Sequence, residues 1–204
     1  MSISHSKLFL LNVMELCVSV FRGPDEHAWA ELATHGVPEL LDRVQEIPGF
    51  PADPLSALDE ALAPYAEAEN FSPLEAEYVR LFIAGPGGVP APLYESCHGP
   101  EGRTMGRSAL AMRDRLAEAG LEISLPSNEP PDHLTLELEF LFHLCAEGWS
   151  GDPEFADQAA RFAGEVMLPW VGRFRDALAQ ADPDPVFSAG ADLILALLPV
   201  VAEG

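Results

Sequence analysis

Apolar residues recur at helical spacing along almost the whole chain, and no stretch alternates apolar with polar residues between hairpin turns. Phe9, Val13, Leu16 and Val20 fall at i, i+4, i+7 and i+11, and Leu10, Met14, Cys17 and Phe21 repeat that spacing one position on. Two stripes side by side make a helix that is buried over most of its circumference. This pattern predicts an all-α fold. Residues 1–204 read as a single-domain helical bundle of about eight to ten helices whose stripes bury against each other. No internal repeat is visible.

Proline, glycine and capping residues divide the pattern. Gly23-Pro24 ends the first helix. Short helices are expected over Asp25–His35 and Pro38–Glu46, and Asp53-Pro54 opens another with Asp as N-cap. Ser72-Pro73-Leu74-Glu75 reads as a capping box, and the helix behind it carries Leu74, Tyr78, Leu81 and Phe82 on one face. Gly85–Gly102 holds four prolines and five glycines and predicts a long Pro/Gly-rich loop. Thr104–Ala119 is helical with Gly120 at C′, and a second loop covers Leu125–Pro131. Asp132–Glu147 is the most apolar helix, stopped by Gly148. Asp152-Pro153 caps the next, an amphipathic stretch follows Pro169 through Trp170, Phe174 and Leu178, and a last apolar helix runs from Val186 to Val201.

Charge excludes several functions. The 204 residues carry 33 Asp+Glu against 11 Lys+Arg, a formal charge of −22. That sign is wrong for gripping nucleic acid or an anionic membrane and suits a cationic partner. Between Gly23 and Glu101 the basic residues are Arg43 and Arg80, against 15 acids. Cys17, Cys97 and Cys145 lack paired spacing and read as reduced thiols of a cytoplasmic protein. Leu8–Phe21 is interrupted by Asn12 and Glu15, short of the ~20 residues of a span. It lacks a cleavage site, so neither a signal peptide nor stable membrane insertion is expected.

Catalytic motifs are incomplete. His133, Glu137 and His143 do not make a zinc spacing, so a metal-dependent hydrolase is the weaker reading and no metal or cofactor is expected. Ser96 lacks the flanks of a nucleophile elbow, and Gly85-Pro86-Gly87-Gly88 lacks the Lys-Ser/Thr of a P-loop. Glu137 stands out, because it falls among apolar neighbours on its helix. It is either an internal hydrogen-bond anchor or a receptor for an incoming arginine, and the anchor is the commoner fate of a buried charge. Asp132 either caps its helix or joins Glu129 in a small acidic mouth beside His133, a histidine placed to titrate near neutral pH.

Glu77-Tyr78-Val79-Arg80-Leu81-Phe82-Ile83-Ala84-Gly85-Pro86 resembles the E-Y-x-x-L-F-x-G-P helix end of the TorD/DmsD family of redox-enzyme maturation chaperones. Pro90 to Ser96 resembles its P-x-x-P-x-E-S loop. Glu129-Pro130-Pro131-Asp132-His133 and Glu137-Leu138-Glu139-Phe140-Leu141 resemble its E-P-x-D-H…E-L-x-F-L signature, and Leu168-Pro169-Trp170 with Phe174 its late P-W…F helix. Val166 stands where that late motif usually has histidine, and Cys97-His98 is atypical.

The resemblance implies a cytoplasmic chaperone without catalytic residues. Its partner would be the precursor of a molybdenum-cofactor oxidoreductase catalytic subunit, held through its twin-arginine signal peptide, its apo-body or both until the cofactor is inserted. A nitrate-reductase-type assembly factor with a non-exported client is the alternative, and a permanent subunit of a redox complex a third reading. The matching segments make Tyr78, Phe82, Gly85, Pro86, Tyr94, Glu95, Ser96, Glu129, Asp132, His133, Glu137, Leu141 and Trp170 the candidate client contacts. Among them Glu129, Asp132 and Glu137 would receive arginine, and Tyr78, Phe82, Tyr94, Leu141 and Trp170 would wall an apolar groove. Core packing accounts equally well for the aromatics, and better for Phe82 and Trp170.

Overall fold

The computed structural model describes residues 3–66, 71–85, 87–121 and 129–204. Within them lie ten α-helical segments: α1 (His5–Phe21), α2 (Glu26–Glu31), α3 (Val37–Val44), α4 (Asp53–Ala66), α5 (Ser72–Tyr78), α6 (Arg107–Glu118), α7 (Leu134–Ser150), α8 (Pro153–Arg161), α9 (Leu168–Gln180) and α10 (Pro185–Glu203). Three π-helical segments, Leu32–Gly36, Val79–Ile83 and Phe162–Met167, extend or fuse these into eight continuous helices. Among the described residues there is no strand, only an isolated bridge between Tyr94 and His133. The all-α expectation holds.

Two of the π segments explain why helices continue where a break is predicted. Pro38 and Pro169 each sit two residues beyond one, after Gly36 and Met167. A proline inside a helix lacks an N–H and collides with the carbonyl four residues back. A locally widened turn absorbs that misfit, so α2 runs on into α3 and α8 into α9.

Other boundaries move for local reasons. Helix α5 begins at Ser72, one residue earlier than the capping box predicts: Phe71 takes the cap position, its carbonyl accepting from the Glu75 N–H at 3.0 Å. Helix α6 begins at Arg107, not Thr104, and Glu101 Oε2 accepts from the Arg107 N–H at 3.1 Å. Gly120 takes the left-handed conformation expected of it, with φ +70°. Gly148 does not stop α7. It lies within the helix, where a Cβ would come 2.5 Å from the Ala156 backbone nitrogen of α8. Its job is close helix packing, and Gly151, with φ +132°, ends the helix. Asp152 caps α8 as expected, accepting from the Glu154 N–H at 3.0 Å.

Helix α7 lies against α1 and α8, and α10 against α1, α4 and α9. Helix α10 is long and apolar enough to cross a bilayer by length and composition, yet 56% of its apolar window is buried in this molecule. Between these helices Phe21, Tyr78, Phe82, Phe174 and Phe187 form one ring cluster, with Tyr78–Phe82 centroids 5.0 Å apart and Phe82–Phe187 5.1 Å. Among the described residues between Ile83 and Arg107, the helical element is one 3-10 turn, Glu95–Cys97.

Candidate functional site

The turn after Tyr94 is tied to the start of α7. The Leu134 N–H donates to the Leu93 carbonyl at 2.8 Å, and the Glu95 N–H to the Asp132 carbonyl at 3.0 Å. The Asp132 side chain completes the tie, its Oδ2 accepting from the Ser96 N–H at 2.8 Å. Asp132 is fully buried, so it neither caps α7 nor forms an acidic mouth with exposed Glu129. His133 caps the helix instead. Its Nδ1 accepts from the Thr135 N–H at 3.3 Å and lies 2.8 Å from Thr135 Oγ1. Burial depresses the His133 pKa below its ordinary value, with Glu129 and Asp132 partly opposing, which keeps the ring neutral at pH 7 as this cap requires.

Glu137 lies one turn deeper and is fully buried. Its Oε2 accepts from Trp170 Nε1 at 2.8 Å. Burial pushes its pKa well above the carboxylate range. The neighbouring Glu95 charge pushes it further, and the indole hydrogen bond only partly offsets them. Of the two readings left open for Glu137, its geometry is that of the internal anchor. Trp170 and Leu141 are likewise interior residues.

Above this buried layer is a groove of about 790 Å³. One wall is α7, whose Leu136, Glu139, Phe140 and His143 fall at i, i+3, i+4 and i+7. The facing wall is Tyr78, Val79, Phe82 and Ile83. Leu93, Tyr94, Glu129 and His133 also line it, as do Arg22, Gly23 and Pro24. Val79 and Ile83 are 41% and 57% exposed, unusual for large aliphatic side chains. Tyr94 donates to Glu129 Oε2 at 2.7 Å. Tyr78 donates to the Phe21 carbonyl at 3.0 Å, which leaves its ring edge to the groove. At the rim Arg22 Nη2 donates to Glu139 Oε1, an ion pair between partly exposed side chains.

Of the residues singled out from the sequence, Tyr78, Phe82, Tyr94, Glu129 and His133 come together in the groove lining. Asp132, Glu137, Leu141, Ser96 and Trp170 lie behind it, and Glu95 is not in the lining. Gly85 makes a tight turn in which a Cβ would sit 3.0 Å from the Arg80 and Gly88 carbonyls. Pro86 lies outside the described residues, as do residues 125–128 of the second predicted loop. The hydrolase triad is not assembled, because His133 engages Thr135, Glu137 engages Trp170, and the His143 ring meets Phe155 edge-on at 5.6 Å. Sequence reasoning missed Arg22, Val79, Ile83, Leu136 and Glu139. The α7 members share the helix stripe of Phe140, which was the available signal.

Residues 51–176 match the nitrate reductase delta subunit family. The chain is 32% identical over 130 residues to chaperone protein TorD of Vibrio cholerae serotype O1 (strain M66-2), covering 61% of this chain and 59% of that protein. It is 30% identical over 140 residues to the Tat proofreading chaperone DmsD of Salmonella typhimurium, covering 67% and 64%. It is 30% identical over 171 residues to the selenate reductase assembly chaperone protein of Thauera selenatis, covering 80% and 73%. The family match takes in both long walls of the groove and leaves out Arg22, Gly23 and Pro24.

Proposed function

This chain belongs to the nitrate reductase delta subunit (TorD) family, and from that premise we propose that it is a maturation chaperone, not a catalyst, for a molybdenum-cofactor oxidoreductase. In this reading it acts in the cytoplasm on the precursor of the catalytic subunit, before export. It holds the precursor by its twin-arginine signal peptide.

The observation that carries the reading is the groove, an apolar trough with carboxylates at its rim. A twin-arginine signal carries adjacent guanidinium groups followed by an apolar run. Val79, Ile83 and Leu136 offer surface for the apolar run, and Glu129 and Glu139 offer charge for the arginines. Asp132 and Glu137 serve the site indirectly, by fixing the Tyr94–Ser96 turn and the α7–α9 contact behind it. The net charge of −22 steers a basic peptide inward at low salt, an effect that fades as the Debye length falls to ~8 Å at physiological ionic strength.

Calorimetry with a synthetic twin-arginine signal peptide tests this. Binding is expected, weaker when both arginines are replaced by glutamine. Ile83→Ser should weaken it by roughly three- to ten-fold through lost apolar contact. Because Ile83 is exposed, that change should leave stability within about 0.5 kcal/mol. Absence of binding to any precursor signal, or equal binding of a precursor stripped of its signal, overturns the reading.

A further inference from the structure

The groove continues past Arg22. A second cleft of about 620 Å³ lies along α1 and the start of α2, with Met14, Val18 and Phe142 as apolar lining and Glu15 and Asp25 as acids. The two clefts share Arg22, Gly23, Pro24 and Glu139. Arg22 directly follows α1, and Gly23, with φ +141°, turns the chain there. From this corner the Arg22 side chain reaches across to Glu139 on α7, so the ion pair stands on the boundary between the clefts.

The charges along this track are uneven. Among the described lining residues of both clefts, Glu15, Asp25, Glu129 and Glu139 are acidic, and Arg22 is the one Arg or Lys. Glu139 therefore already holds the group that a twin-arginine ligand brings. The pair is open to exchange, since the side chains of Arg22 and Glu139 are 64% and 44% exposed. An ion pair in that setting is weak and costs little to replace by another of the same kind. Position 139 is the open position of the E-L-x-F-L signature, and Arg22 lies outside the family match. The family motif therefore does not specify this pairing.

We propose that the Arg22–Glu139 pair is an internal clasp, which a guanidinium of the bound peptide displaces from Glu139, joining the two clefts into one track for an extended peptide. The proposal rests on the peptide-binding reading above. The free protein keeps its arginine receptor occupied by its own Arg22. A ligand must bring both a guanidinium to take Glu139 and an apolar run to hold it there. A peptide with lysines exchanges less well, because an ammonium does not reproduce the planar fork.

Calorimetry with a synthetic twin-arginine signal peptide, on the wild type, Arg22→Gln, Glu139→Gln and the double variant, tests this. Removing the competitor in Arg22→Gln should tighten binding by about two- to five-fold, the range an exposed ion pair supports. Glu139→Gln should weaken it at least as much. The double variant should match Glu139→Gln, because without Glu139 there is nothing for Arg22 to block. Both residues are solvent-accessible, and unchanged melting temperatures would confirm that the variants fold. If the wild type binds and Arg22→Gln binds equally or more weakly, the clasp is wrong while the peptide reading stands. If neither the wild type nor Arg22→Gln binds, both fall.

Discussion

Trp170 Nε1 donates to Glu137 Oε2 across 2.8 Å, linking α9 to α7 behind the groove. The acceptor is a fully buried carboxyl with the Glu95 and Asp132 charges nearby. A residue with the outward signs of a ligand receptor is thus part of the frame.

Replacing Glu137 by glutamine keeps an oxygen for the indole and removes the titratable group. The native carboxyl titrates well above its ordinary 4.5, so between that pH and its raised value the native state holds a proton that the unfolded chain has lost. Wild-type stability therefore declines as pH rises through that window. Glu137→Gln should lose this decline and be the more stable of the two proteins above it. Urea unfolding over a pH series measures the difference, and equal pH slopes for the two proteins would contradict it.

Asp132→Ala leaves the buried Ser96 N–H without its acceptor. The expected cost is about 1–3 kcal/mol, with faster amide exchange at Ser96. Asp132→Asn retains an oxygen and should recover most of both. Exchange at Ser96 unchanged in the alanine variant would show that the backbone contacts hold the turn by themselves.

His133 must be neutral at Nδ1 to cap α7. Its folded pKa lies below the ordinary 6.5, so stability should fall as pH drops from there, while the unfolded chain takes up the proton first. An NMR titration of the His133 ring should give a value under 6.5. His133→Asn should keep a cap without this pH dependence, and His133→Ala should cost about 1 kcal/mol.

An ordinary mid-helix glycine gains ~1 kcal/mol when replaced by alanine. Gly148→Ala should do the opposite, because the new methyl meets the Ala156 backbone at 2.5 Å. A loss of about 1–3 kcal/mol is expected from forcing α7 and α8 apart. A melting temperature equal to or above that of the wild type would remove the packing role assigned to Gly148.

How much of the molecule was legible depended on how local the information was. The stripes of α1, the cap at Asp152 and the left-handed Gly120 are short-range features, and each is where the pattern puts it. The passage of helices through Pro38 and Pro169 was hidden, because proline reads as a break unless a π turn precedes it. Gly148 was misread for a similar reason: its role is set by α8, not by its own helix. Of the groove lining, Tyr78, Phe82, Tyr94, Glu129 and His133 are singled out by the sequence, and the rim pair Arg22–Glu139, 117 residues apart, is not.

The sequence by itself determined that this protein is helical, which face of each helix is apolar, and which family motifs it carries. Periodicity and capping are set by residues a few positions apart, so they can be read along the chain. Only the tertiary structure decided which acids face the groove. Asp132 and Glu137 turn inward because the Tyr94–Ser96 turn and α9 supply an N–H donor to each, and Glu139 is left at the rim because Arg22 meets it there. A carboxylate looks the same in sequence whether its partner is a distant backbone amide, an indole or a peptide still to come.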